Sequence, residues 1–325
     1  MYLKNKRVLF LAPKFYQYHS EIISSLELKG ASVTFYQEMN YSLSYRIFSK
    51  FSVKIERLFK KKYMKNILKD ITFDMYDIVF IIRGGSLDKN SLESLHLKLP
   101  QAKFFMYQWD STRQNDYLSL LSYFDKVQTF DMVDSKRYNI DYLPLFYTSV
   151  YRDFQKREFL YDLVFFGAYH SDRLKIIKHI DILFKENDLS FKYHLYITKL
   201  ALFRFVLQGT ISLKDLKYFK TYSIPSEDIL ESYQHSNSVL DIELSIQSGL
   251  TMRTFETLGS GLKLVTTNNK IKEEAFYNPN RILVIDRNML DINLNFFKKK
   301  KDENVLFSQF YIDSWLDNIF TFNND

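Results

Sequence analysis

The sequence contains no cysteine. Disulfides, thiolate metal sites and cysteine nucleophiles are excluded, and the chain suits a reducing compartment. Glycine and proline are scarce, at 8 and 5 in 325 residues. No apolar run reaches the ~18–20 residues of a membrane-spanning helix. The first one, Val8–Ala12, is closed by Pro13, and with Met1–Arg7 before it shows no signal-peptide cleavage pattern. The expected location is the cytoplasm. HExxH, a phosphate loop of the Gly-x-x-x-x-Gly-Lys-Ser/Thr type and a Gly-x-Ser-x-Gly elbow are all missing. No Asp-x-Asp triplet occurs either. The nearest approach is Asp241-Ile-Glu243, inside a predicted strand.

Aromatic residues are abundant instead, at 17 %, with 24 Tyr and 30 Phe. Lys, Asn and Ile are frequent too, the skew of an AT-rich genome, so the aromatics alone mark no sugar-binding surface. The formal net charge is +7, from 45 basic and 38 acidic residues. Two basic runs stand out, Arg57–Lys65 and Lys298–Lys301. They read as solvated helix faces, as attraction to an anionic inner leaflet at ~1 kcal/mol per basic residue, or as a nucleic-acid footprint. Nucleic acid ranks last, because no helix-turn-helix, zinc-finger or RNP pattern accompanies the charge.

The length suits two domains. Arg7–Ala12, Ala31–Tyr36, Asp77–Ile82, Lys103–Gln108, Lys126–Phe130 and Asp141–Pro144 have the short apolar character of strands. Ser20–Lys29, Arg46–Asp70, Ser91–Leu97 and Tyr117–Phe124 alternate with them as helices. A second series begins near Tyr161. Its expected strands are Asp162–Phe166, Phe191–Ile197, Val239–Glu243, Lys263–Thr267 and Ile282–Ile285. Its expected helices are Asp172–Asn187, Ser226–Ser236 and Arg253–Leu258, with a tight turn over Gly167–Ser171. Phe307–Phe322 has the pattern of an amphipathic helix on Phe310, Leu316 and Phe320. The alternation predicts an α/β protein of two parallel sheets with helices on both faces. Expected domains are 1–150 and 151–325, the last helix (307–322) packing back on the first.

The densest chemical signal is residues 247–268, read as loop, short helix, glycine turn and strand. Such a loop end offers free backbone N–H groups and the positive end of a helix dipole, which suit a phosphate. Ser248 and Gly249 lie in the loop, Thr251 is an N-cap candidate, and Thr267 ends the strand. Arg253, in the first turn, can present a planar fork to a diphosphate. Glu256 shares its face and could accept from two vicinal ribose hydroxyls. The competing reading is a capped helix with an Arg253–Glu256 surface pair.

Residues 239–286 resemble the nucleotide-sugar-binding region of GT-B glycosyltransferases, and most closely the CgeB-like proteins of bacterial surface-polysaccharide and lipopolysaccharide biosynthesis. Thr254-Phe-Glu-Thr-Leu-Gly-Ser-Gly261 resembles the family's glutamate-bearing helix and glycine turn, and Lys263–Asn268 its following strand and loop. Asp162–Arg173 and Lys103–Ser111 agree in the same order, so the likeness spans most of the chain. It implies a GT-B fold, two Rossmann-like domains facing across a cleft, with the acceptor on the N-terminal domain and the donor on the C-terminal one. It also implies retaining, metal-independent transfer, since the missing Asp-x-Asp is how the other major transferase fold holds a divalent ion. No cofactor is needed. A UDP-sugar is favoured over a GDP- or CMP-sugar, and the acceptor is a saccharide or lipid-linked oligosaccharide of lipopolysaccharide or capsule. Contact with the anionic inner face of the membrane would follow from a lipid-linked acceptor.

The resemblance makes Arg173 a diphosphate contact, joined by Lys199 unless that is an ordinary exposed lysine. Gly167 would allow close backbone approach. His170 either touches the donor or is a polar turn residue. On the acceptor side the candidates stand at strand ends: Lys14–His19, Arg83–Ser86 and Trp109–Arg113, with Arg83, Gly84, Trp109 and Asp110 foremost. Asp110 is a base for an inverting transfer, a holder of acceptor hydroxyls for a retaining one, or a helix cap. Many retaining members carry a second glutamate eight residues before the first. Here that position is Ser248. This departure supports a competing reading, a catalytically inactive two-lobed nucleotide-sugar-binding or assembly protein.

Overall fold

A computed structural model describes residues 3–39, 45, 52–153, 155, 157–298 and 307–321. The strands are β1 Arg7–Ala12, β2 Ser32–Gln37, β3 Ile78–Ile82, β4 Lys103–Gln108, β5 Lys126–Thr129, β6 Asp141–Tyr142, β7 Tyr161–Ala168, β8 Phe191–Tyr196, β9 Phe219–Lys220, β10 Ser236–Asp241, β11 Lys263–Thr266 and β12 Ile282–Val284. The α-helices are α1 Tyr18–Leu28, α2 Val53–Asp70, α3 Lys89–Lys98, α4 Met132–Tyr138, α5 Ser149–Arg152, α6 Arg173–Glu186, α7 Lys199–Leu207, α8 Ser226–Gln234, α9 Met252–Gly259, α10 Asn295–Lys298 and α11 Ile312–Phe320. The chain divides into two compact units, Met1–Leu145 with Ile312–Asp325, and Phe146–Tyr311.

The first unit is a parallel sheet in the order β2-β1-β3-β4-β5-β6. Its central strand β3 is the run Ile-Val-Phe-Ile-Ile, buried throughout, as a strand covered on both faces must be. Alternate residues explain the two layers. Leu9, Leu11, Val79, Ile81, Phe104 and Met106 pack on Met64 and Ile67 of α2 and on Leu92 and Leu95 of α3. Phe80, Phe105 and Tyr107 point the other way, onto Trp315 and Phe320 of α11. Ser25 of α1 donates to Asp313, and Lys29 pairs with Asp317 at 2.7 Å, tying α1 to α11. α3 begins with a reciprocal cap: Asp88 accepts from the Ser91 amide, and the Ser91 hydroxyl accepts from Asp88 N–H.

The second unit is also parallel, in the order β12-β11-β10-β7-β8-β9. Ile176, Ile177, Ile180 and Phe184 of α6 cover one face over Leu163, Phe165, Leu240 and Val265. Tyr233 of α8 covers the other, with Val164, Phe166 and Val239. The last residue of α9, Gly259, has no room for a side chain, since a Cβ there would sit 2.4 Å from the Tyr147 ring.

Several sequence expectations change in detail. β7 continues through Gly167 and Ala168, which pair with Leu195 and Tyr196, so Gly167 is a strand residue and not part of a tight turn. β10 ends at Asp241, leaving Glu243 beyond the strand. Residues Leu118–Tyr123 form a 3-10 helix. α7 and β9 are additional elements. The last stretch is a 3-10 turn, Ser308–Phe310, followed by α11. Residues 46–51, 299–301 and 322 of the expected basic and terminal segments lie outside the described residues. Among the described residues no helix is long and apolar enough to cross a membrane.

Both sheets contain a point where successive strands depart in opposite directions: between β1 and β3 in the first unit, and between β7 and β10 in the second. In open parallel sheets, ligands settle outside the carboxyl ends of the strands at such a point.

Candidate functional site

In the second unit Arg173, the first residue of α6, spans the carboxyl ends of β7 and β10. Its Nη1 donates to Ala168 O at 2.8 Å, and its Nε and Nη2 both donate to Ile242 O, Nε at 2.9 Å. Among the described residues its hydrogen-bond partners are all neutral carbonyl oxygens. Burial, aided by the nearby Arg253, lowers this guanidinium to about 10, although Asp241 and Glu243 act in the opposite sense. A half-buried cation whose hydrogen bonds all go to carbonyl oxygens retains capacity for a directly bonded anion. The guanidinium also lies over the Phe165 ring, 5.4 Å from its centroid. At Gly167 a Cβ would meet Arg173 Nη1 at 2.9 Å and Phe165 Cζ at 3.0 Å, so glycine leaves the guanidinium this position.

Arg253, in the first turn of α9, lies over the same ring at 5.6 Å. It donates to Phe166 O and to the Tyr233 hydroxyl. Its Nη1 is 3.9 Å from Asp241 Oδ1. Burial alone would lower its pKa; Tyr233, Asp241 and Glu256 outweigh that and hold it above the ordinary value. Asp241 also fixes the start of α9, since its Oδ2 accepts from Thr251 Oγ1 at 2.6 Å and Thr254 Oγ1 at 3.1 Å. Thr251 in turn caps the helix at Thr254 N. Asn268 donates to the carbonyls of Ser248 and Gly249, which pins the loop entering α9. Ahead of Thr254, the amides of Met252 and Arg253 have no intrahelical acceptor, and the helix dipole makes this end positive.

A third cation, Arg287, completes the group. It pairs with Asp172 at 2.6 Å and with the buried Glu243. Glu243 accepts from Thr267 Oγ1 at 2.6 Å. Burial raises the Glu243 pKa, opposed by its bonds from Thr267 and Arg287. His170 stands at the head of α6 with Nδ1 2.8 Å from Ser171 Oγ. Burial, reinforced by Arg173, lowers it to about 4, so it is neutral at pH 7.

The structure thus brings Arg173, Gly167, His170, Arg253, Thr251 and Thr267 to one rim. Glu256 is buried one turn below Arg253 and accepts from the Tyr151 hydroxyl, so the pair is no surface ion pair. Tyr151 is raised by burial and by Glu256. Ser248 and Gly249 lie in the entry loop. Lys199 is exposed at the first position of α7. Sequence reasoning missed Asp172, Arg287, Asn268 and Tyr151. Asp172 and Asn268 fall inside the segments that carry the resemblance without being singled out there, Arg287 and Tyr151 fall outside them, and each acts through a partner distant in sequence.

The first unit gathers its own group at the carboxyl ends of β1, β3 and β4. Arg83 and Gly84 both have left-handed backbones, at φ 67° and 72°. A Cβ on Gly84 would also lie 2.9 Å from Leu87 Cδ1. The turn is braced from behind: Arg83 O accepts from Gln108 Nε2 and Asn115 Nδ2, each at 2.9 Å. Buried Glu38, which the sequence reading passed over, accepts from Gly85 N at 2.7 Å and pairs with Arg83 at 3.0 Å. Asp110 Oδ2 lies 3.0 Å from Arg83 Nε. Burial raises the Asp110 pKa, partly offset by Arg83. Trp109 meets the exposed Phe15 edge-on at 6.3 Å, and Phe15 meets Tyr16 at 4.7 Å. Beside this turn a cavity of about 380 Å³ is lined by Gly84, Ser86 and Asn115 and by Arg57, Lys60 and Lys61 of α2.

The chain matches no protein-family model and no curated protein sequence. It does match solved structures. The lipopolysaccharide outer core galactosyltransferase WaaB is 12 % identical, with a TM-score of 0.57 over 96 % of this chain and 98 % of that one. A glycosyltransferase from Rickettsia africae is 14 % identical, with a TM-score of 0.55 over 98 % and 95 %. HepE of Anabaena, in complex with UDP and glucose, is 10 % identical, with a TM-score of 0.50 over 87 % and 86 %. At these identities the likeness speaks for architecture: the chain has the α/β GT-B fold of these glycosyltransferases.

Proposed function

We propose that this protein is a glycosyltransferase of the CgeB-like kind that moves a sugar from a nucleotide-sugar, by preference a UDP-sugar, to a growing surface polysaccharide or lipid-linked oligosaccharide of capsule or lipopolysaccharide. One observation carries the reading: Arg173, a cation bridging β7 and β10 at the switch point, is held there by carbonyl oxygens and lacks a bonded carboxylate. A nucleoside diphosphate supplies the missing anion. Arg253 and the α9 N-terminus add a second donor set, and fixed donors of this kind stabilise a departing diphosphate without reorganising. Glu256 holds the ribose hydroxyls, exchanging its bond from Tyr151 for them.

Transfer is metal-independent and retaining. The bond from the anomeric carbon to the donor phosphate oxygen breaks, the acceptor oxygen bonds to that carbon, and the acceptor proton passes to the departing phosphate. Asp110, with Arg83 and the braced Gly84 turn, anchors the acceptor hydroxyls, and Trp109 offers an apolar face to a sugar ring. The exposed cations of α2, Arg57, Lys61, Lys62 and Lys65, favour an anionic membrane surface near a lipid-linked acceptor.

Ser248, where a second carboxylate would stand, favours the other reading, a binding protein without turnover. Thermal stabilisation by UDP, GDP, CMP, dTDP and ADP tests the first step, since a ligand of the folded state raises its melting temperature. UDP is expected to stabilise the wild type and not Glu256→Ala. Equal stabilisation of both would remove Glu256 from the site. Stabilisation by a UDP-sugar with neither transfer nor hydrolysis would favour the binding protein.

A further inference from the structure

The helix α7 is apolar on all sides. Seven of its nine residues, Lys199–Leu207, are apolar, and only Lys199 and Arg204 are not. Ala201, Leu202, Phe205 and Val206 pack on the core of the second unit. Leu200, Phe203 and Leu207 recur at the spacing of one helical face and point away from it, 80 %, 63 % and 71 % exposed. Leu213, on the 3-10 turn Leu213–Tyr218 just after the helix, is 71 % exposed. A helix that is hydrophobic all round is normally buried all round. Single exposed leucines need no explanation, but a row of them on one element does.

The surroundings say what covers this row. Residues 199–220 hold five cations, Lys199, Arg204, Lys214, Lys217 and Lys220, and one acid, Asp215. That acid is occupied by Lys178 at 2.6 Å. The tip is also anchored: Gly209 turns the chain at φ 68°, the amides of Thr210 and Ile211 return to Phe205 O, and Ile211 is buried in the core. An apolar row edged by cations on a firmly held support is complementary to anionic headgroups above acyl chains.

We propose that the outer face of α7 and the turn after it insert into the headgroup–acyl boundary of an anionic bilayer. Leu200, Phe203, Leu207 and Leu213 enter the boundary, and the flanking cations meet the lipid phosphates. This goes beyond the contact assigned above to α2, and it is independent of the nucleotide site. Full-length protein is sedimented with vesicles of phosphatidylcholine alone or with about 30 % phosphatidylglycerol. Phe203→Ser/Leu207→Ser is expected to lose at least about tenfold in partition to the anionic vesicles. Its thermal midpoint should equal or exceed that of the wild type, which separates a lost contact from a lost fold and needs no nucleotide. Phe203→Trp should shift its emission to shorter wavelength with anionic vesicles only. Unchanged partition of the double variant, or no spectral shift, overturns the proposal. So does a wild-type dimer that this variant converts to monomer, which would make a second copy the occupant.

Discussion

The two switch points occupy the same place in their respective sheets and hold an arginine in different ways. In the first unit Arg83 is met by two carboxylates, Glu38 and Asp110. In the second, Arg173 is met by the carbonyl oxygens of Ala168 and Ile242. Carboxylates neutralise a guanidinium; carbonyls only hold it in place. The fold supplies two equivalent crevices, and under the proposed function the residues around one arginine in each decide whether it favours hydroxyls or an anion. Function lies in the lining and not in the sheet.

The comparison breaks most severely if Arg173 is removed. Arg173→Ala is expected to weaken UDP binding and slow transfer by about 10³, the scale of losing a fixed donor to a developing charge. Isothermal titration measures it, and wild-type affinity in the variant would end the anion-seat reading. Next comes Asp110→Asn, expected to reduce kcat/KM for the acceptor by roughly tenfold, the scale of losing a charge-assisted hydrogen bond, with the UDP dissociation constant unchanged. A change confined to nucleotide binding would contradict the division of labour between the units.

The smallest effect concerns pH. Folded His170 titrates at about 4 against an ordinary 6.5. Between those values the unfolded chain binds a proton that the folded chain refuses, so stability should decline as pH falls from 6.5 to 4. His170→Gln should flatten that slope by on the order of one or two degrees in thermal midpoint. Identical slopes in the two proteins would show that burial and the nearby Arg173 do not hold the imidazole neutral.

Strands with continuous apolar runs were legible in the sequence. Ile78–Ile82 could be little else, and the parallel architecture followed from the alternation of such runs with helices. Boundaries were less so. Gly167 reads locally as a turn glycine, yet it lies in β7 because it pairs with Leu195 of β8, a partner the local sequence does not show. α7 escaped notice because a helix apolar on every side shows no period. Arg173 and Arg253 could be chosen as cations in the first turns of helices. Their meeting over Phe165 could not, because residues 165, 173 and 253 converge only through sheet order. Arg287 and Glu38 gave no local sign, since each earns its place through carboxylate or amide partners far along the chain.

α11 has a consequence for synthesis. The chain leaves the first unit after Leu145, builds all of the second, and returns at Ile312. Until then Phe80, Phe105 and Tyr107 lack Trp315 and Phe320 over them. During vectorial synthesis the first sheet therefore waits, one oily face open, while some 160 residues emerge behind it. The second unit can complete its core in that interval, so the half of the molecule translated first is the last to be finished.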